Sequence, residues 1–230
     1  VDDGFPPPGE GVEWEELGEL AGCRARPVLR IETHPLEDVA TARTQGFVAL
    51  KTIAAYRGGL DRVSEPVLAA LEANEATGAP LPVQVHCGFG DSDLWLARAD
   101  PSHLKPLIER FRETKFVLLH CYPFVREAGW LAHVYGNVWF DLSLTIPHVS
   151  RPAEALREAL ELAPVSKLLY ASDAARTPEL YYLAAKWWRE ALAEVLPPED
   201  AEADARAILL ENALAVYGLS TGPLPGAARR

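Results

Sequence analysis

The sequence contains no methionine and only three cysteines, Cys23, Cys87 and Cys121. So sparse and odd a set, without any CxxC, argues against a disulfide framework and a structural zinc ribbon and suits a reducing compartment. No apolar run approaches the roughly 20 residues that span a bilayer. The opening Val1-Asp2-Asp3-Gly4-Phe5-Pro6 is too acidic and proline-rich for a secretory signal, so no membrane is expected and the chain reads as cytoplasmic. Basic residues are outnumbered, 22 Lys and Arg against 33 Asp and Glu, for a net charge of −11 and a pI of ≈ 5.0. That balance repels phosphate backbones and argues against nucleic acid as a partner. Three chemical motifs are also missing. Neither GxGxxG nor GxxxxGK[ST] follows a strand-like run, which weakens nucleotide binding, and without GxSxG there is no serine-hydrolase elbow.

What is present is an ordinary globular composition, 49% hydrophobic and 24% charged over 230 residues. One domain over residues 1–219 with a short polar tail, 220–230, is the expected organisation. Nearly continuous apolar runs at Pro27–Glu32, Phe47–Ile53, Pro82–Cys87, Phe116–Cys121, Asn137–Ser143 and Leu168–Asp173 predict strands buried on both faces. Helical patterns separate them: Glu65–Ala76, Pro101 to about Glu113, Val125–Tyr135, Ala153–Leu162, Pro178–Leu196 and about Glu199–Tyr217, the last stopped by Gly218. The stretch Phe5–Arg26, rich in Pro, Gly and Glu, reads as an excursion rather than a strand with its helix. Repeated βα units predict an α/β fold with a parallel sheet. Ionisable residues at successive run ends, Glu32, Lys51, His86, His120, Asp141 and Asp173, favour a (β/α)8 TIM barrel, whose strand ends converge on one mouth.

Two run ends share a form, Val85-His86-Cys87 and Leu119-His120-Cys121. Strand alternation then sends the cysteines to the helices if the histidines face the axis, so a His site with the thiols as packing groups is favoured over a mixed Cys/His site. A single histidine of this kind is ordinarily a satisfied buried one; two, joined by Asp173, suggest a centre for Zn²⁺, Mn²⁺ or Fe²⁺ that activates water. Asp173 could coordinate, accept the water's proton, or simply cap a helix. Lys51 could bind a substrate carboxylate, bridge two metals as a carbamate, or be a solvated strand-end charge. Arg57 and Arg126 could clamp an anionic substrate, though a surface ion pair suits Arg126 equally. Asp141 and Ser143 could orient the histidines through hydrogen bonds.

The segments Leu50-Lys51-Thr52-Ile53-Ala54-Ala55-Tyr56-Arg57, Val85-His86-Cys87-Gly88-Phe89-Gly90-Asp91, Leu118-Leu119-His120-Cys121-Tyr122-Pro123, Phe140-Asp141-Leu142-Ser143, Leu169-Tyr170-Ala171-Ser172-Asp173 and Glu211-Asn212-Ala213 together resemble the amidohydrolase superfamily. The likeness covers about Pro27 to Leu219. It is closest to the amidohydrolase-related branch found alone or fused to glutamine-synthetase-like domains. The resemblance implies a metal-dependent barrel in which His86 ends the fifth strand as a ligand. His120 would end the sixth as ligand or carbonyl-polarising group, Asp173 the eighth as ligand and general base, and Lys51 the fourth, where some members carry a metal-bridging lysine. The family's first strand carries a His-x-His pair, and no HxH exists here. If Val1 to Gly4 end the second strand, the first βα unit is expected upstream of Val1.

The expected activity is metal-dependent hydrolysis of an amide-type C–N bond in a small polar or carboxylated substrate. A nonoxidative decarboxylase is the alternative enzyme, and a non-catalytic binding or regulatory barrel the alternative outside catalysis. Unpaired strand edges would favour self-association, hence a homo-oligomer.

Overall fold

Short runs of Val, Leu, Phe and Ala become the strands because both of their faces are covered. In the computed structural model, which describes residues 1–2, 12–174 and 177–221, these are β1 Val28–Arg30, β2 Ala49–Thr52, β3 Val83–Cys87, β4 Phe116–His120, β5 Val138–Asp141 and β6 Leu168–Leu169. All six pair in parallel and in sequence order. Asp2 adds one more parallel bridge, to Val28, so residues 1–2 occupy a strand position on the β1 edge. The helices are α1 Trp14–Ala21, α2 Leu36–Thr41, α3 Glu65–Ala76, α4 Lys105–Arg110, α5 Val125–Val134, α6 Thr145–His148, α7 Pro152–Leu160, α8 Pro178–Val195, α9 Ala201–Arg206 and α10 Asn212–Tyr217. This is an α/β fold with the architecture of a (β/α)8 barrel short of one βα unit. No helix among the described residues is long and apolar enough to cross a membrane.

Alternation divides each strand between two environments. Leu29, Leu50, Val83, Val85, Phe116, Leu118, Val138 and Phe140 are buried in one core with the helices. Truncating a residue such as Phe116 to Ala there costs about 3–5 kcal/mol. On the inner face Val117, Leu119 and Leu169 pack against Val216 of α10. Gln84 donates to the Tyr217 hydroxyl at 2.8 Å, and Lys115, just before β4, donates to the carbonyls of Ala215 and Val216. The last helix therefore plugs the N-terminal end of the sheet, which leaves the C-terminal ends for chemistry.

Local chemistry sets most helix starts. Proline stands in the first turn of α3, α7 and α8, where its missing N–H is no loss, and Asp100 accepts the Ser102 N–H at 2.8 Å. Several expectations are corrected. The stretch read as an excursion contains α1, closed by Gly22 at φ 62, which lets the Cys23 N–H return to the Gly18 carbonyl; its residues 5–11 lie outside the described ones. Helix α2 was not anticipated. The run from Pro101 opens as a 3-10 turn, Pro101–Leu104, because Pro106 has no N–H to offer Ser102, and α4 ends at Arg110. The final helix is interrupted by a π turn at Ala207–Glu211. The run to Asp173 stops pairing at Leu169, because the Tyr170 N–H goes to the Ile208 carbonyl of that π turn. Beyond Thr221 the expected polar tail lies outside the described residues.

Candidate active site

His86 stands on the inner face of β3, and its Nε2 lies 2.6 Å from the Phe89 carbonyl. A carbonyl only accepts, so that nitrogen holds the hydrogen. Burial pulls the His86 pKa down to about 4, with the charges of Lys51 and Arg30 acting in the same direction. The Tyr56 ring leans on it at 4.8 Å, and the Tyr56 hydroxyl accepts the Asp91 N–H.

His120 arrives by a different route. The register sets His86 opposite Leu119 and Cys87 opposite His120, so a straight β4 would send His120 outward with Cys87. Left-handed backbone at His120 and Cys121, φ 67 and 66, turns the imidazole back to the mouth. That conformation costs about 1–2 kcal/mol per residue. It is held by the Asp141 carboxylate, whose Oδ1 accepts the N–H groups of both His120 and Ser143 at 2.9 Å, and by the Thr145 hydroxyl, which donates to the His120 carbonyl at 2.6 Å. The Ser143 hydroxyl lies 2.6 Å from His120 Nδ1. Burial drives the His120 pKa well below its ordinary value, with His86 and Lys51 adding to it, and pushes Asp141 up to about 6 against its own hydrogen bonds. The equivalence of the two His-Cys pairs in the sequence is thus one of letters, not of geometry. Both partner cysteines are fully buried, and burial raises their thiols above the usual range.

Asp173 follows β6 at φ 46, with Oδ2 3.9 Å from His120 Nε2, and stays 45% exposed. Burial raises its pKa, while the Lys51 charge opposes. It caps no helix, since α8 begins at Pro178, and Trp188 Nε1 fixes the segment before it by donating to the Ala171 carbonyl at 3.0 Å. Lys51 is buried and pairs with Asp2 at 2.8 Å; Arg30, its Cα partner on β1, pairs with the same carboxylate. Desolvation of Asp2 is outweighed by Arg30 and Lys51, which hold its pKa below the ordinary value. Glu32 spends Oε1 on the Thr52 hydroxyl and the Ile53 N–H, supporting the end of β2.

His86, His120, Asp173, Lys51, Asp141 and Ser143 are therefore linked through one network of contacts and fields. Two other expected residues are not part of it. Arg57 is exposed and donates to the Tyr56 carbonyl, and Arg126 faces Glu158 and Glu161 at 3.7 and 3.5 Å from the outer layer. Sequence reasoning overlooked Asp2, Arg30, Tyr56 and Thr145. Arg30 carried a usable signal, an ionisable residue closing the run Val28-Leu29-Arg30, but Glu32 was read as the end instead.

A profile of the amidohydrolase family matches residues 19–219. The chain belongs to the amidohydrolase family. The chain is 40% identical, over 180 residues and 73% of its length, to Protein fluG of Emericella nidulans, and spans only 21% of that relative. Among solved structures, a Lactobacillus casei protein assigned as a metal-dependent hydrolase superposes with a TM-score of 0.84 at 30% identity, covering 95% of this chain and 72% of that one. A dihydroorotase from Campylobacter jejuni shares the fold with a TM-score of 0.59 at 18% identity, over 86% of this chain and 66% of that one.

Two imidazoles kept neutral and a carboxylate beside one of them fit a divalent transition ion in kind. They do not form a finished cage, for among the described residues no group of three or more His, Cys, Asp or Glu is drawn together closely enough to hold an ion.

Proposed function

We propose that this member of the amidohydrolase family hydrolyses an amide-type C–N bond in a small polar substrate, with His86, His120 and Asp173 holding a divalent transition ion, Zn²⁺ before Mn²⁺ or Fe²⁺. The observation that carries the reading is the approach of Asp173 to the Nε2 edge of a buried, neutral His120 that packs against His86. Such an ion supplies hydroxide at neutral pH by acidifying bound water. The chain's own groups do the rest. Asp173 is exposed enough to meet substrate and takes the proton of the attacking water, then passes it to the leaving nitrogen. Ser143 decides what His120 can do. If its hydroxyl donates to Nδ1, Nε2 carries the hydrogen and can stabilise a developing oxyanion; if it accepts from Nδ1, Nε2 presents a lone pair to the ion.

The test is elemental analysis of the purified protein together with amine release from a panel of small N-acyl amino acids and amides. About one tightly held transition metal per chain in the wild type and turnover abolished by Asp173→Asn, with the fold retained, are the expected results. Undiminished activity in Asp173→Asn overturns the assignment of the base, CO₂ release in place of amine points to a decarboxylase, and an empty protein without turnover points to a non-catalytic barrel.

A further inference from the structure

The hydrolytic reading leaves one pair of rings at the mouth without a task. Phe89 is half-buried, yet among the described residues it belongs to neither hydrophobic core, and its ring centroid lies 5.2 Å from that of the exposed His148, tilted by 50°. Phe89 follows β3 and His148 ends α6, which follows β5, so their contact passes over the end of β4, the strand between them. The pair is held on every side. The Phe89 N–H donates to the Tyr122 carbonyl at 2.7 Å, and the Phe89 carbonyl accepts from His86 Nε2 at 2.6 Å. Both flanking glycines are tight against neighbours: a Cβ at Gly88 would run into the Tyr122 carbonyl, and one at Gly90 into the Tyr56 hydroxyl. His148 Nδ1 lies 2.8 Å from the Leu144 carbonyl and so holds the hydrogen, and the start of α6 is tied to the site by Thr145, which donates to the His120 carbonyl. Groups fixed in this way resist an added methylene, because making room for it forces side chains off their rotamers and shifts backbone.

We propose that Phe89, backed by His148, sets the size limit of the substrate's acyl group, so that the amide hydrolysed here carries a short acyl chain. The inference rests on the hydrolytic reading for the direction in which the substrate lies, but binding does not depend on turnover. Asp173, which hands the proton to the leaving nitrogen, stands at Nε2 of His120, whereas Phe89 is bonded to His86. A leaving nitrogen beside Asp173 therefore directs the acyl group toward His86 and Phe89. A short chain ends in front of the rings, and a long one meets them.

The test is titration of the whole purified chain with acetamide and with hexanamide, which lengthens the acyl group without adding charge, followed by saturation-transfer NMR. Wild type is expected to bind acetamide and to bind hexanamide no more tightly, although buried methylenes ordinarily strengthen binding. Phe89→Ala should tighten hexanamide by about tenfold or more, the effect of burying two or three methylenes, while acetamide stays within about twofold. His148→Ala should move hexanamide in the same direction by less, since the Phe89 ring loses its backing, and Phe89→Trp should weaken it. Trp95→Ala, in the same loop and 72% exposed, should change neither affinity. A gain of affinity cannot come from loss of folding, which guards the reading against a merely damaged variant. Hexanamide binding wild type about tenfold more tightly than acetamide, no gain in Phe89→Ala, an equal gain in Trp95→Ala, or no binding of either amide to wild type and Phe89→Ala alike would each overturn the size limit. None of these results bears on amine release, so failure of the size limit and failure of the hydrolase are separable.

Discussion

The imidazole of His120 lies edge-on to that of His86 with ring centroids 4.5 Å apart, although their strands are paired one residue out of step. The contact exists because Asp141 holds the left-handed turn at His120 through two backbone N–H groups. Asp141→Ala should therefore leave two buried donors without an acceptor and release the turn, at a cost of about 3–5 kcal/mol. Asp141→Asn keeps an acceptor oxygen and should lose much less. Urea unfolding of the two variants decides the matter, and equal losses would mean that Asp141 acts through its charge alone.

The same residues set a pH dependence whose sign can be worked out. His86 has a folded pKa of about 4 against an ordinary 6.5, so between those values the unfolded chain binds a proton that the folded chain refuses, and acid destabilises. His120 acts in the same direction. Asp141, about 6 when folded against 3.8 otherwise, binds its proton first in the folded state and offsets one histidine between pH 6 and 4. Asp141→Asn should therefore lose more stability on acidification than wild type, the difference approaching one proton's worth, roughly 1.4 kcal/mol per pH unit, between pH 6 and 4. Urea midpoints at pH 7, 6 and 5 test this; parallel curves would show that Asp141 does not titrate in that window.

Ser143 offers a functional counterpart. Its hydroxyl is the partner of His120 Nδ1, and with Ser143→Ala nothing fixes the tautomer on which either role of His120 depends. Turnover should fall about tenfold or more while the unfolding transition stays within about 1 kcal/mol of wild type. A shift of the pH profile without loss of maximal rate would instead place Ser143 outside the catalytic arrangement.

Burial explains what was legible before the structure. Runs such as Phe116-Val117-Leu118-Leu119 are apolar on both faces, which only a strand in a covered parallel sheet requires, and all six strands were placed on that ground. Helix α1 was missed although Trp14, Leu17 and Ala21 recur at helical spacing, because the Pro, Gly and Glu of Phe5–Arg26 were given more weight, and α2 because six residues give no period at all. At the site, residue type pointed to His86, His120 and Asp173, but the route of His120 to the mouth depends on two positive φ angles that no spacing rule encodes. Of the two readings left open for Arg126, the surface pair is the one found: a residue just after a strand end can turn outward with its helix, and here α5 carries it to Glu158 and Glu161 at the end of α7.

The loops behind the two histidines make the last prediction. Gly88, two residues after His86, has φ 63, and a Cβ there would run into the backbone carbonyl of Tyr122, two residues after His120. Gly78 has nearly the same backbone, φ 71, with nothing within 4 Å of an added Cβ. The pair separates conformational strain from steric contact. Gly78→Ala should cost about 1 kcal/mol, the left-handed penalty alone, whereas Gly88→Ala should cost about 3 kcal/mol or more because backbone atoms must also move. The movement has a direction, since the Phe89 N–H is bonded to that same Tyr122 carbonyl at 2.7 Å and the Phe89 carbonyl holds His86 Nε2. Pushing the loops apart therefore disturbs His86 as well as the fold. Gly88→Ala should reduce turnover under conditions where it remains folded, while Gly78→Ala should leave turnover unchanged, and equal stability and activity in the two variants would show that the loop contact does not position the histidine.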